Sequence, residues 1–218
     1  MTSRRTTRRS GFSLLEVIVV LAVMGILLGA AAPLVNLAAD QQRRAEVRSE
    51  LGQLSDALQA YYFDNGSFPA TIDAADFFGV YVVPGVQDTA IRDGWGLAQN
   101  YLYVVTTSPD VATVRSIGPN VTDEGGSGDD IEARIPGTVP GNERTRARMR
   151  VIVEVLANFL ESGGTLTGTW STDRTNMGLG ATYEVDGFGT AFQLDPATYV
   201  LQSAGPDRSH GTSDDLST

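Results

Sequence analysis

Gly11-Phe12-Ser13-Leu14-Leu15-Glu16-Val17 places a single carboxylate at the mouth of a run without charge that extends from Val17 to Ala39. A carboxylate at the centre of a membrane helix costs roughly 2.5 to 3.5 kcal/mol on insertion scales, so an ionisable group in or beside such a run reads as functional. Glu16 needs a counter-charge. The basic flank Arg4, Arg5, Arg8 and Arg9 precedes Gly11, so a cut after Gly11 removes those cations and leaves a new ammonium on Phe12. Within one helix that ammonium and Glu16 stand about one turn apart. An ammonium on a neighbouring copy would satisfy Glu16 equally and would make the pairing depend on assembly.

These residues resemble the class III leader of type IV pilins and type II secretion pseudopilins. The resemblance implies that a prepilin peptidase cuts after Gly11 and methylates Phe12, and that Glu16, then the fifth residue, guides docking into a helical filament. Pro33 falls where such helices are often loosened. The implied partners are other copies of the chain, related pilin subunits, the prepilin peptidase, an inner-membrane assembly platform and membrane lipid. A secretory signal peptide cut near Ala30-Ala31-Ala32, or a plain membrane anchor, is the alternative; both leave Glu16 and the Gly-Phe pair without a role. In every case the basic leader is expected in the cytoplasm and the remainder outside. The expected location is thus the bacterial inner membrane, single-pass, and then a periplasmic pseudopilus or surface filament.

The chain has 218 residues, 42% of them apolar, enough for one or two folded units beyond the first helix. All 16 basic residues are Arg. Loss of the leader takes four Arg and no acid, moving the formal charge from −10 to −14. So acidic a body is a poor nucleic-acid binder, and none is expected as a partner. There is no Cys, although the folded part is expected in a compartment where disulfides form. Small units lacking disulfides often need a metal or a partner to supplement their cores.

Beyond the apolar run, Ala45, Val47, Leu51, Leu54, Leu58 and Tyr61 form a stripe at spacings of mostly three and four, predicting an amphipathic helix. Asp64-Asn65-Gly66-Ser67-Phe68-Pro69 should end it. One long helix from Phe12 to about Asp64 is expected, with Tyr61, Tyr62 and Phe63 in the core. Phe77 to Val83, Asp93-Gly94-Trp95-Gly96, Tyr101 to Thr107 and Thr113 to Ile117 read as strands and turns. Glu132 to Asn142, with Pro136, Gly137, Pro140 and Gly141, reads as a linker, and a second helix is expected from about Glu143. Its early Arg144, Arg146, Arg148 and Arg150 oppose the helix dipole and predict acidic neighbours.

The second half repeats the grammar of the first. Asp186-Gly187-Phe188-Gly189 answers Asp93-Gly94-Trp95-Gly96, and Ser203-Ala204-Gly205-Pro206-Asp207 answers Ser116-Ile117-Gly118-Pro119-Asn120. Asp214-Asp215-Leu216 answers Asp129-Asp130-Ile131. The expected architecture is α+β: a leader over 1–11, a membrane and filament-core helix over 12–39, and a globular unit with a small antiparallel sheet over 40–131. A linker over 132–142 and a second helix-plus-sheet repeat over 143–218 complete it.

Calcium takes six to eight hard oxygen ligands in irregular loops, and the two acidic, Gly-rich loops offer carboxylates and backbone carbonyls of that kind. Solvated turns that bind nothing would have the same composition. The units also resemble the C-terminal region of the major pseudopilin of type II secretion systems. That resemblance implies calcium held by Asp207, Asp214, Asp215 and the carbonyl of Ala204. In the first unit it implies Asn120, Asp129, Asp130 and the carbonyl of Ile117. Asn120 stands where the family has aspartate, a gap that Asp123 could fill. His210 reads as a loop residue and not a ligand, and Trp95 and Phe188 as packing for their turns.

No Cys, a single loop His and no phosphate-cradling Gly motif argue against an enzyme. The expected function is that of a structural pseudopilin-like subunit, processed by prepilin peptidase and assembled through its first helix into a type II secretion pseudopilus or related pilus. The alternative is a minor or tip pilin acting as a binding adaptor in adhesion, DNA uptake or substrate recognition.

Overall fold

A computed structural model describes residues 13–82, 91–95 and 101–218, with side chains for all but 28–35. The chain is α+β, and its contacts divide it into Met1–Ala45 and Glu46–Thr218. Gly11, Phe12, the rest of the leader and Gly96 lie outside the described residues.

Helix α1 runs Leu14–Asn65. Ser13 starts it: its hydroxyl accepts the Glu16 amide at 3.2 Å, satisfying a first-turn N–H that has no partner within the helix. Glu16 is exposed at the positive end of the dipole, where a carboxylate is favourable. Gly66, at φ 79°, ends the helix, its amide returning to the Tyr62 carbonyl at 2.7 Å. The apolar side chains from Leu14 to Leu27 are largely exposed. Among the described residues no helix is long and apolar enough to cross a membrane; within the run from Val17 to Ala39 the side chains of 28–35 lie outside the described ones.

Within Glu46–Thr218, the stripe Val47, Leu51, Leu54, Leu58, Tyr61 and Tyr62 is buried. Ala45 and Phe63 are exposed, contrary to their expected places. The stripe packs on a three-stranded antiparallel sheet of β1 (Leu102–Thr106), β2 (Val111–Ser116) and β3 (Ile131–Pro136), in that order. Alternation along β2 buries Ala112, Val114 and Ser116. Phe77 to Val82, expected as a strand, forms turns closed by one isolated bridge from Phe78 to Val82.

The segment read as a linker is structured. β3 occupies Ile131–Pro136, and α2 begins at Thr138 and runs to Glu161. Pro140 lies in the first turn of α2, where an amide would have no intrahelical partner, so proline costs nothing there. The earlier start puts Arg144 to Arg150 beyond the first turn. Arg148 makes its hydrogen bonds to carbonyls and, among the described residues, no salt bridge: its Nη1 donates to those of Val185 and Asp186 at 2.7 and 2.9 Å.

A second core gathers Met149, Ile152 and Leu156 of α2 with Trp170, Phe192, Leu194 and Leu201. Trp170 opens α3 (Trp170–Asn176), where the buried Asp173 accepts the amides of Thr167 and Gly168 at 2.7 and 3.1 Å and so fixes the approach to the helix. The second sheet is β4 (Gln193–Leu194), β5 (Leu201–Ser203) and β6 (Leu216–Ser217), antiparallel and in that order.

Candidate functional site

Each sheet sends one acidic loop from its middle strand to its third strand, and the two loops close with the same hydrogen bonds. Ser116 and Ser203, both fully buried, accept the amides of Gly118 and Gly205 at 3.3 and 3.2 Å. Asn120 N donates to Asp129 Oδ2 at 3.1 Å, and Asp207 N to Asp214 Oδ2 at 3.0 Å. Asn120 Oδ1 takes the Thr122 amide at 2.7 Å, and Asp207 Oδ1 the Ser209 amide at 2.8 Å. Between these pairs stand Val121 and Arg208, both left-handed at φ 59° and 60°. Gly118 and Gly205 are left-handed too, and a Cβ on Gly118 would sit 2.7 Å from the backbone and carboxylate oxygens of Asp129. Only glycine fits so close a crossing.

Behind each loop lies a buried aspartate. Asp186 takes the amides of Phe188 and Thr190, each at 2.9 Å, and the Ser203 hydroxyl at 2.7 Å. Asp93 faces Ser116 and the amides of Trp95, Ile117 and Gly94, contacts looser than those of Asp186 among the described residues. Burial therefore dominates and pushes its carboxyl above the usual range, against the pull of those donors. The aromatic turn residues pack as expected: Phe188 is buried against Gly141, and Trp95 lies against the first core.

In the first loop, Glu124, Asp129 and Asp130 bring carboxylate oxygens within 4.8 Å of one another. Asp130 Oδ2 accepts the amides of Glu124 and Gly126, both at 2.9 Å, while its Oδ1 is buried with no partner among the described residues. Three converging carboxylates with one orphaned buried oxygen are a donor set that fits a hard divalent cation. Glu124 was not among the sequence candidates, since nothing in its spacing separates it from Asp123. Asp123 is not in that group. The Gly125 amide at 3.0 Å and Arg115 at 2.5 Å hold its carboxyl below the usual range, and Arg115 also binds Glu132 at 2.7 Å.

In the second loop the carboxylates are met by neighbouring donors. Asp214 takes the Thr212 hydroxyl at 2.6 Å, which lowers its carboxyl, and Asp215 takes the Gly211 amide at 2.7 Å. The oxygens are hard and the loop geometry repeats the first, but Asp207, Asp214 and Asp215 do not converge as Glu124, Asp129 and Asp130 do. Ala204 is fully buried and Ile117 half-buried at the two loop entrances. His210 is half-buried, with Nε2 3.0 Å from the Ala191 carbonyl.

Comparison with known proteins matches residues 6–32 to the prokaryotic N-terminal methylation motif, a span that holds Gly11, Phe12 and Glu16. The type II secretion system core protein G of Aeromonas hydrophila is 33% identical over 40% of this chain and 61% of its own length. That of Klebsiella michiganensis is 40% identical over 31% of this chain and 47% of its own length. The toxin coregulated pilin of Vibrio cholerae is 36% identical over 32% of this chain and 31% of its own length. The chain thus spans less than two thirds of each of these relatives, and none of them is named as an enzyme. No solved structure matches. Together the matches support a type IV pilin-like pseudopilin family for the chain.

Proposed function

We propose that the chain is a structural subunit of a type II secretion pseudopilus or a related pilus, cut after Gly11, methylated on Phe12 and assembled through α1. The observation that carries this reading is the methylation motif over residues 6–32. The exposed apolar side chains from Leu14 to Leu27 support it. Such a surface calls for an apolar surround, which lipid supplies before assembly and the helices of other subunits supply afterwards. Glu16, exposed in the first turn of α1, is free to meet the Phe12 ammonium of a neighbour.

Calcium is the proposed structural ion. In the first loop Glu124, Asp129 and Asp130 would hold it; in the second, Asp207, Asp214 and Asp215. Bound there, it neutralises clustered carboxylates and fixes the crossing between the second and third strands of each sheet. The chain's own contribution is the glycine-dependent turn and the buried serine and aspartate beneath it.

The second helix-and-sheet unit, Thr138–Ser217, favours one further reading, a tip-located adaptor that presents that unit to a substrate or surface. Subunit abundance separates the two, since a repeating subunit is plentiful and a tip adaptor scarce. The assembly reading is tested by two variants in cells. Gly11→Ala should accumulate as an uncut precursor on immunoblots. Glu16→Ala should be cut normally yet be absent from sheared filaments. Normal filaments from Glu16→Ala, or efficient cutting of Gly11→Ala, would overturn it.

A further inference from the structure

We propose that the outward face of the second sheet binds a neutral sugar, a hexose or N-acetylhexosamine unit of a glycan, through the paired carboxamides of Gln193 and Gln202 and the Asp195 carboxylate. The inference goes beyond the assembly reading and holds wherever in a filament the subunit sits. A pocket of about 320 Å³ on this face is lined by Gln193, Leu194, Asp195, Thr198, Val200 and Gln202, at the small end of the range for ligand sites. Gln193 and Gln202 are registered partners on β4 and β5, and the next pair, Leu194 with Leu201, is buried in the second core. Side chains alternate across a strand, so both carboxamides stand on the outward face, with Cβ atoms about 4.5 to 5.5 Å apart. Neither carboxamide makes a hydrogen bond among the described residues.

The matching face of the first sheet is charged and spends its donors internally. Ser116 and Ser203 hold equivalent places at the two loop entrances, so Arg115 answers Gln202. The registered partners of Arg115, Leu102 and Glu132, then answer Gln193 and Ser217. Arg115 is bound to Asp123 and Glu132, whereas the second sheet has two free amides and a serine in this row. The turns differ as well. Asp110, between β1 and β2, is buried and taken up by Tyr62 and Arg208, but Asp195, at the end of β4, is exposed. Its carboxylate accepts the Thr198 hydroxyl at 2.7 Å and the Ala197 amide at 2.8 Å, which hold it below the usual range. It is therefore ionised, with lone pairs left for a ligand. Tyr199, between the lining residues Thr198 and Val200, has φ 60° and donates its amide to the Asp195 carbonyl at 2.8 Å. A non-glycine residue persists there only where its surroundings fix it, and such positions gather at ligand sites.

The donor set selects the ligand. A carboxamide offers a carbonyl acceptor and two N–H donors, and a carboxylate offers acceptors alone. Each sugar hydroxyl both donates and accepts, so adjacent ring hydroxyls match the amide pair, and a further hydroxyl donates to Asp195. Val200 gives the C–H face of the ring an apolar seat. An anion would meet the Asp195 carboxylate, and a cation would leave the amide N–H donors unpaired.

The test uses the full chain in micelles of a detergent without a sugar headgroup. D-glucose, D-galactose, D-mannose and N-acetyl-D-glucosamine are each titrated and followed by saturation-transfer NMR. At least one should bind saturably, with affinity falling roughly tenfold in Gln193→Ala and in Gln202→Ala. Gln202→Glu, which keeps the shape but loses the N–H donors, should show the same loss and serves if Gln202→Ala fails to fold. Arg134→Gln, on the exposed face of β3 in the first sheet, should bind as the wild type does. Preference for N-acetyl-D-glucosamine supports a cell-wall glycan as the source, and preference for a hexose supports a secreted or surface polysaccharide. No saturable binding of any of the four sugars, or binding undiminished in all three glutamine variants, overturns the proposal. Either result leaves the assembly reading standing, since that is judged by cutting and by filaments.

Discussion

The hydroxyl of Tyr101 donates to the Glu50 carboxylate at 2.5 Å, tying the residue before β1 to the side of α1. Tyr61 with Asp76, Tyr62 with Asp110 and Tyr81 with Asp64 repeat the pattern at 2.6 to 2.7 Å. Each pair raises the phenol above its usual range. For Tyr62 and Tyr101 burial is the larger cause, and for Tyr61, pushed up to about 12, the bond to Asp76 leads. A raised phenol favours the neutral form in the fold, so its stabilisation is complete below about pH 10 and is lost as pH climbs toward the folded value. Absorbance at 295 nm should therefore show these tyrosines titrating above the usual phenol range, together with loss of far-ultraviolet circular dichroism. Titration near pH 10 with the fold intact would count against the pairs.

Tyr62→Phe should destabilise the chain by roughly 1 to 3 kcal/mol, because it strips a donor from a buried carboxylate. Tyr101→Phe should cost less, since Glu50 is exposed and water can replace the phenol. Urea melts of the two variants check the order.

Gly187 lies so close to the Gly141 carbonyl that an added Cβ meets it, with Thr145 Oγ1 at 2.7 Å on the other side. Neither backbone can give way, so Gly187→Ala should cost roughly 1 to 3 kcal/mol by overpacking. A Cβ on Gly180 meets nothing within 4 Å at an ordinary φ of −69°, and Gly180→Ala should stay within about 0.5 kcal/mol. Equal effects in thermal melts would refute the close crossing.

Calcium at about a hundred times its dissociation constant adds roughly 2.7 kcal/mol per site, or roughly 2 to 4 °C per kcal/mol for a chain of this size. EDTA should therefore lower the melting temperature by several degrees. Asp130→Asn, which alters the orphaned oxygen, should remove much of the first-loop response. Asp123→Asn should leave it in place, because Asp123 is turned to Arg115. A chelator without effect would sink the metal reading.

How far the sequence was legible depended on whether a residue acts locally. The long helix, its stop at Gly66, the buried stripe from Val47 to Tyr62 and the matching loops all follow from periodicity and short-range turn chemistry. β3 was obscured by Pro136, Gly137, Pro140 and Gly141, which look like a break but sit at a strand end and in a helix's first turn, where neither residue type is penalised. Glu124 and Asp123 are indistinguishable in sequence; the contact of Arg115 with Asp123 decides between them, and that needs the β2–β3 register. Phe63 differs from Tyr62 only in helical phase. Arg148 looked like a cation seeking an acid, but burial beside the Asp186 turn gave it carbonyls instead.

Both acidic loops end where pairing begins: Asp130 is followed by Ile131, registered with Ser116, and Asp215 by Leu216, registered with Ser203. Closing the loop and registering the third strand are therefore one event in folding, with the closure entropy of the loop to be met before any ladder bond forms. On the calcium reading, an ion meets that cost first and the strand follows. The last turn before each final strand therefore decides when that sheet can be completed.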